Sequence, residues 1–356
     1  MPSSYPPLPP ALPGARRELP SSAGRLSYYT TGPGDAAANP AASAANPSAA
    51  NPGAPAANPS AANPGAANPG ASAANPGADS GAPPLLLIHS VNAAASAYEV
   101  RPLYLHYAAR QRVYAMDLPG FGFSERGRRR YTPRLMTDAV LAMARRIRSD
   151  ADVPVDALAL SLSAEFLARA AAEHPELFRS VALVSPTGMD GHALRRGPAG
   201  SSRAVPLVRD VVGFPLWGRA LFNLLNSGPS ARYFLEKTWG SKEIDEGLLR
   251  YDYLTSHQPG AEHAPFDFIG GYLFSNDIGT VYEQLALPVW MARGSRGDFV
   301  DYDAAVELRG RRNWTFESFP TGALPYFEQP EDFIRKYEIF RASPAAAAGR
   351  DGPQPR

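Results

Sequence analysis

A serine at position 161 stands between small residues two places before and after it, in Ala159-Leu160-Ser161-Leu162-Ser163-Ala164. An apolar run leads into this segment and a helix-forming stretch leads out of it. A serine hydroxyl is a useful nucleophile where a sharp strand-to-helix turn lifts its Oγ clear of the backbone, and small neighbours permit such a turn. The same residues also suit a plain helix start with Ser163 as its N-cap. A serine nucleophile needs a base, most often histidine, and a carboxylate to orient that base. The chain offers six histidines, His89, His106, His174, His192, His257 and His263. The chain has no cysteine, which excludes disulfides, thiolate catalysis and Cys-ligated zinc. No metal or cofactor is expected.

The elements that must hold these residues are legible from hydropathy. Leu85–Ile88, Val113–Met116, Ala157–Leu160, Ser180–Val184, Pro288–Ala292 and Trp314–Phe319 are short apolar runs that read as buried strands. Thr132–Arg148 and Ser163–Glu173 show helical spacing. Strands of this kind alternating with helices predict an α/β fold, a mostly parallel sheet covered on both faces. Arg25–Thr30 alternates and suits an antiparallel edge strand. Residues 189–287 break the rhythm. They are rich in aromatics and read as a mostly helical insertion that roofs the sheet.

Two stretches lack the makings of a core. Asn-Pro recurs seven times between residues 39 and 76, and residues 36–78 carry no charge. The reading is a disordered insertion over residues 33–84, within a surface loop. Residues 1–23 and 343–356 are expected to be disordered as well. Net charge is +1, so nothing points to a nucleic-acid partner. No apolar run is long enough to span a bilayer. A cytoplasmic location is the default expectation, and the oligomeric state is open. The Arg126–Arg130 cluster reads as a solvated loop.

Taken together, the loop beginning His89-Ser90-Val91, the segment DLPGFGFS (117–124), the turn ALSLSA (159–164), the segment HPELFRSVALVSP (174–186) and the terminal GALPYFEQPEDF (322–333) resemble the α/β-hydrolase fold family. The resemblance implies a core of residues 24–188 plus 288–342, with 189–287 as its cap. It implies Ser161 as nucleophile and Asp298 as the triad acid, with Asp301 and Asp190 as alternatives. Backbone N–H groups of Leu162 and Val91 would form the oxyanion hole. His89 and Ser90 would lie beside the substrate. The family's catalytic histidine follows a glycine in a pattern like Gly-His-x-Pro-x-x-Glu-x-Pro, and here that position is Ala323. The implied function is an esterase-like serine hydrolase acting on a small apolar substrate through Ser161. The alternative is a non-catalytic relative that keeps the fold for binding.

Overall fold

Strand by strand, the apolar runs become one sheet. The computed structural model describes residues 5–33, 35 and 82–343. The Asn-Pro segment and the tail beyond Ser343 thus lie almost wholly outside the described residues. Eight strands form the sheet: β1 (Ala15–Ser21), β2 (Gly24–Thr31), β3 (Leu85–Ile88), β4 (Val113–Asp117), β5 (Val155–Leu160), β6 (Phe178–Val184), β7 (Val289–Gly294) and β8 (Trp314–Phe319). Their order is β1-β2-β4-β3-β5-β6-β7-β8. β1, β2 and β4 pair antiparallel, and β4, β3, β5, β6, β7 and β8 pair parallel.

Every residue of β3, β4, β5 and β6 is buried. Successive side chains alternate between two cores, as the strand period of two demands. Leu86 and Ile88 pack on one face, Leu85 and Leu87 on the other. The first face is covered by α2 (Pro133–Ala151) and α3 (Ser163–Glu173), the second by α1 (Arg101–Ala108) and α11 (Pro330–Ala342). Thr132 caps α2 by accepting the Leu135 N–H at 3.2 Å. Asp156 of β5 is fully buried and accepts Arg179 Nε at 2.8 Å, Ser180 Oγ at 2.6 Å and Arg341 Nε at 2.8 Å, which ties β5, β6 and α11 together.

Between β6 and β7 the chain forms α4 (Pro206–Val212), α5 (Gly218–Leu225), α6 (Gly228–Trp239), α7 (Glu246–Ser256), α8 (His263–Ile269) and α9 (Ile278–Gln284). This is the helical insertion that the sequence pattern predicts. After β8 the one-turn α10 (Pro325–Glu328) precedes α11.

The N-terminal expectation needs correction. Residues 1–23 do not form a disordered lead throughout, because Ala15–Ser21 is the edge strand and shields β2. Ahead of it, the Pro9 carbonyl accepts Tyr251 Oη at 2.8 Å, Ala11 N–H donates to Tyr29 Oη at 3.0 Å, and the Pro13 carbonyl accepts Tyr104 Oη at 3.1 Å. Proline has no N–H to lose here, and its carbonyl remains a full acceptor. β1 is mostly exposed, so it carries no apolar alternation to read. The Arg126–Arg130 loop is not simply solvated either. Arg126 Nη1 donates to the Thr255 carbonyl at 3.0 Å, and Arg130 Nη1 pairs with buried Asp267 at 2.7 Å, joining the loop after β4 to the insertion.

Candidate active site

Ser161 follows the last residue of β5 and has φ +56°. A side chain in this left-handed region costs roughly 1–2 kcal/mol, so the surrounding structure must impose it. It does so through the backbone: Ser161 N–H donates to the Val184 carbonyl at 2.8 Å, and its carbonyl accepts Ala164 N–H at 3.1 Å. Ala159 and Ser163 are fully buried on either side. Ser163 is not the cap of α3. The cap position is Leu162, with no side-chain hydrogen bond, and Ser163 Oγ has no partner. Ser161 itself is half-buried, and its hydroxyl makes no hydrogen bond among the described residues.

The loop after β3 approaches from the neighbouring strand. Fully buried His89 holds it through both ring nitrogens: Nε2 accepts Leu118 N–H at 2.9 Å, and Nδ1–H donates to the Ser90 carbonyl at 2.6 Å. Burial pulls its pKa down to about 4, so the ring is neutral. Ser90 N–H and Oγ donate to Glu99 at 2.7 and 2.9 Å, and Asn92 Nδ2 donates to the same carboxyl at 2.8 Å. His89 and Ser90 thus spend their polar atoms on shaping the loop. Sequence reading missed Glu99, a lone buried acid whose partners lie seven to nine residues away. Val91 is buried beside them, and neither Val91 N–H nor Leu162 N–H has a hydrogen-bond partner among the described residues.

DLPGFGFS is a self-supporting turn. Asp117 is buried and accepts N–H bonds from Ala97 and Phe123, each at 3.0 Å. Gly122 has φ +50°, and a Cβ there would lie 2.0 Å from Asp117 Oδ1, so glycine is required. Ser124 Oγ donates to the Asp117 carbonyl at 2.6 Å and closes the loop.

The three candidate acids are at the surface or spoken for. Asp298 is exposed and pairs with Lys237 at 3.5 Å. Asp301 accepts N–H bonds from Gly191 and Asp303, which hold its carboxyl below the usual range. Asp190 pairs with Arg195 at 3.1 Å. Among the described residues, none of the three accepts a hydrogen bond from a histidine.

Ala323 lies just beyond β8, and its backbone is pinned at both ends. Its N–H donates to the Thr238 carbonyl at 2.9 Å, and its carbonyl accepts Ser185 Oγ at 2.8 Å. Glu328 reaches back to accept Gly322 N–H at 2.6 Å, which gives the Gly-x-x-Pro-x-x-Glu spacing a physical reason. The last turn of α6 is wedged against both loops. Asp298 N–H donates to the Lys237 carbonyl, and Arg296 Nε to the Trp239 carbonyl, each at 3.2 Å. A Cβ on Gly322 would lie 2.5 Å from Trp239 Cα. The remaining histidines are engaged elsewhere or exposed: His106 faces Glu338, His174 bonds Glu176, His257 bonds the Tyr253 carbonyl, and His192 is exposed. His263 opens α8, where burial lowers its pKa.

With this geometry in hand, the likeness to known proteins is specific. A family model for the alpha/beta hydrolase fold matches residues 83–205, the stretch that carries the β3 loop, DLPGFGFS and the Ser161 turn. No curated protein sequence matches the chain. Among solved structures, a probable hydrolytic enzyme from Pseudomonas aeruginosa PAO1 superposes with a TM-score of 0.61 at 17% identity, covering 94% of this chain and 96% of that one. An enol-lactonase from Burkholderia xenovorans LB400 gives 0.60 at 14% identity, over 92% and 100%. A serine hydrolase involved in carbazole degradation gives 0.58 at 16% identity, over 92% and 98%. The matched segment, the eight-strand order and the neighbours agree that the chain has the α/β-hydrolase fold.

Proposed function

We propose that the protein is an esterase-like hydrolase that acts on a small apolar substrate through Ser161. The observation that carries this reading is the left-handed backbone of Ser161 at the β5–α3 turn, with φ +56°. Strain of this kind is costly and persists at functional positions. The free N–H groups of Leu162 and Val91 support the same reading, as donors for a developing oxyanion. In this scheme Ser161 Oγ bonds to the carbonyl carbon as its proton passes to solvent, and the two N–H groups stabilise the tetrahedral oxygen. The ester C–O bond breaks with the departing alcohol taking up a proton, and water then cleaves the acyl-serine to acid and free Ser161, with helices α4–α9 as the cap over the site. The acid is Asp298, by its position after β7, with Asp301 as the alternative.

Ala323 favours a second reading, a binding protein on the same fold. A methyl group cannot take a proton from Ser161, and loss of one triad member leaves residual catalysis from binding and the oxyanion hole. A fluorophosphonate probe separates the two. Covalent labelling of the wild type that disappears in Ser161→Ala supports the hydrolase; no labelling of either protein selects the binding protein.

A further inference from the structure

Residues 5–13 read Tyr-Pro-Pro-Leu-Pro-Pro-Ala-Leu-Pro, with five prolines and no charge. Proline fixes its own φ at about −65° and drives the residue before it out of the helical region, so this stretch is extended by its sequence. The extended form that prolines favour is a polyproline helix, which repeats every three residues and leaves its carbonyls open to donors. Both signatures are present. Tyr5 and Leu8 are half-buried and Ala11 is buried, while Pro7 and Pro10 are exposed. The carbonyls of Pro6 and Pro9, also three apart, accept Gln258 Nε2 and Tyr251 Oη, each at 2.8 Å.

The spacing of the donors matches the spacing of the acceptors. Tyr251 lies on α7 and Gln258 just beyond its end, seven residues on, a rise of roughly 10 Å along a helix. Three residues of a polyproline helix rise about 9 Å. The rest of the segment is held from the core. Arg101 Nη1 and Tyr104 Oη of α1 donate to the Ala11 and Pro13 carbonyls at 3.2 and 3.1 Å, and Ala11 N–H donates to Tyr29 Oη of β2 at 3.0 Å. Leu8 packs on the core face that contains Tyr29, Tyr104 and Tyr251. At the outer end Arg219 Nη2 of α5 donates to Tyr5 Oη at 3.0 Å. Every partner named here is a side chain. A segment added to a sheet edge would instead be held by main-chain bonds, which prolines cannot donate; side-chain donors on carbonyls are the mode that reads polyproline.

We propose that Tyr251, Gln258, Arg219, Arg101 and Tyr104 form a docking site for an uncharged, proline-rich extended chain, filled in this structure by the protein's own residues 5–13. The segment docks in cis: Gly14 joins it directly to β1, which pairs with the strand that carries Tyr29. The same side chains take a proline-rich peptide from solution once the protein's own copy is removed. Nothing in this site touches Ser161, so the proposal stands or falls apart from the hydrolase reading.

The test compares the full chain with a form lacking residues 1–13, titrated with a fluorescent peptide of sequence YPPLPPALPG and followed by anisotropy. The truncated protein should bind saturably. The full chain should bind at least tenfold more weakly, because its own copy is tethered at an effective concentration on the order of millimolar. Replacing the five prolines of the peptide with alanine should weaken binding at least tenfold, as should Tyr251→Phe combined with Gln258→Leu in the truncated protein. The proposal is overturned if the folded truncated protein does not bind, if the full chain binds equally well, or if the alanine peptide binds as tightly. A full-length dimer that truncation converts to a monomer would place a second copy's segment in the site and overturn docking in cis. If the truncated protein does not fold, the double variant of the full chain decides. Its Ala11 N–H should exchange with deuterium at least tenfold faster than in wild type, and an equal rate overturns the proposal.

Discussion

Ala323 occupies the position at which the proposed hydrolase reading calls for a base, and its surroundings specify an experiment. Its N–H and carbonyl are fixed by Thr238 and Ser185, so a new side chain inherits a defined backbone. A general base is worth roughly 10²–10⁴ in rate. Ala323→His should raise hydrolysis of a short-chain activated ester by about 10²-fold, the lower end of that range, because Asp298 pairs with Lys237 and is not bonded to a histidine. The ratio of the two rates, on protein shown to be folded, is the measurement. An equal and already fast wild type would point to another base. Ala323 is only 7% exposed, so a drop in melting temperature is expected alongside any gain. Single residues also show what sequence could and could not disclose. The Ser161 turn and the DLPGFGFS loop were readable because local spacing creates them. Glu99 and Ser185 were not, since each acts on residues that only the fold brings near.

At the scale of elements, α3 carries a pH response. Glu165 lies in the first turn of the helix, buried, accepting Thr187 Oγ1 at 2.5 Å and Ser275 N–H at 2.8 Å. Burial pushes its pKa up to about 7 from an ordinary 4.5, and the two hydrogen bonds offset only part of that. Between these values the native state keeps a proton that the unfolded chain has released. Stability therefore falls as pH rises from about 4.5 to about 7 and levels off above. The group contributes a penalty of about 3 kcal/mol once the window is crossed. Denaturant midpoints at pH 5 and pH 8 should differ in that direction, and Glu165→Gln should remove most of the difference. An unchanged slope in the variant would assign the effect to another group, with Asp117 first, since burial pushes it up to about 6. The strands β3 to β8 and helices α2 and α3 followed from apolar runs and helical spacing. β1 did not, because its side chains face water and the prolines before it resemble a tail.

Across the whole molecule, the inserted Asn-Pro segment joins two strands whose ends are close. Thr31 at the end of β2 and Leu85 at the start of β3 both pair with Val113 of β4. Two strand spacings separate them, roughly 10 Å, which a few residues can bridge. Deleting residues 36–80 should leave the melting temperature within a few degrees of wild type, since lengthening a loop costs only slowly growing closure entropy. A larger loss would show that the segment supports the fold. Among the described residues no helix is long and apolar enough to cross a membrane.

The wedge of α6 has a mechanical consequence. Backbone groups of Lys237, Thr238 and Trp239 tie the insertion to the loops after β7 and β8. On another side the insertion meets the loop after β4 through the side chains of Arg126 and Arg130. Main-chain contacts of the first kind are expected to yield less readily than side-chain contacts of the second. Amide hydrogens at Asp298 and Ala323 should accordingly exchange with deuterium slowly, while those flanking Thr255 and Asp267 exchange faster, so that loosening of the insertion begins on one side.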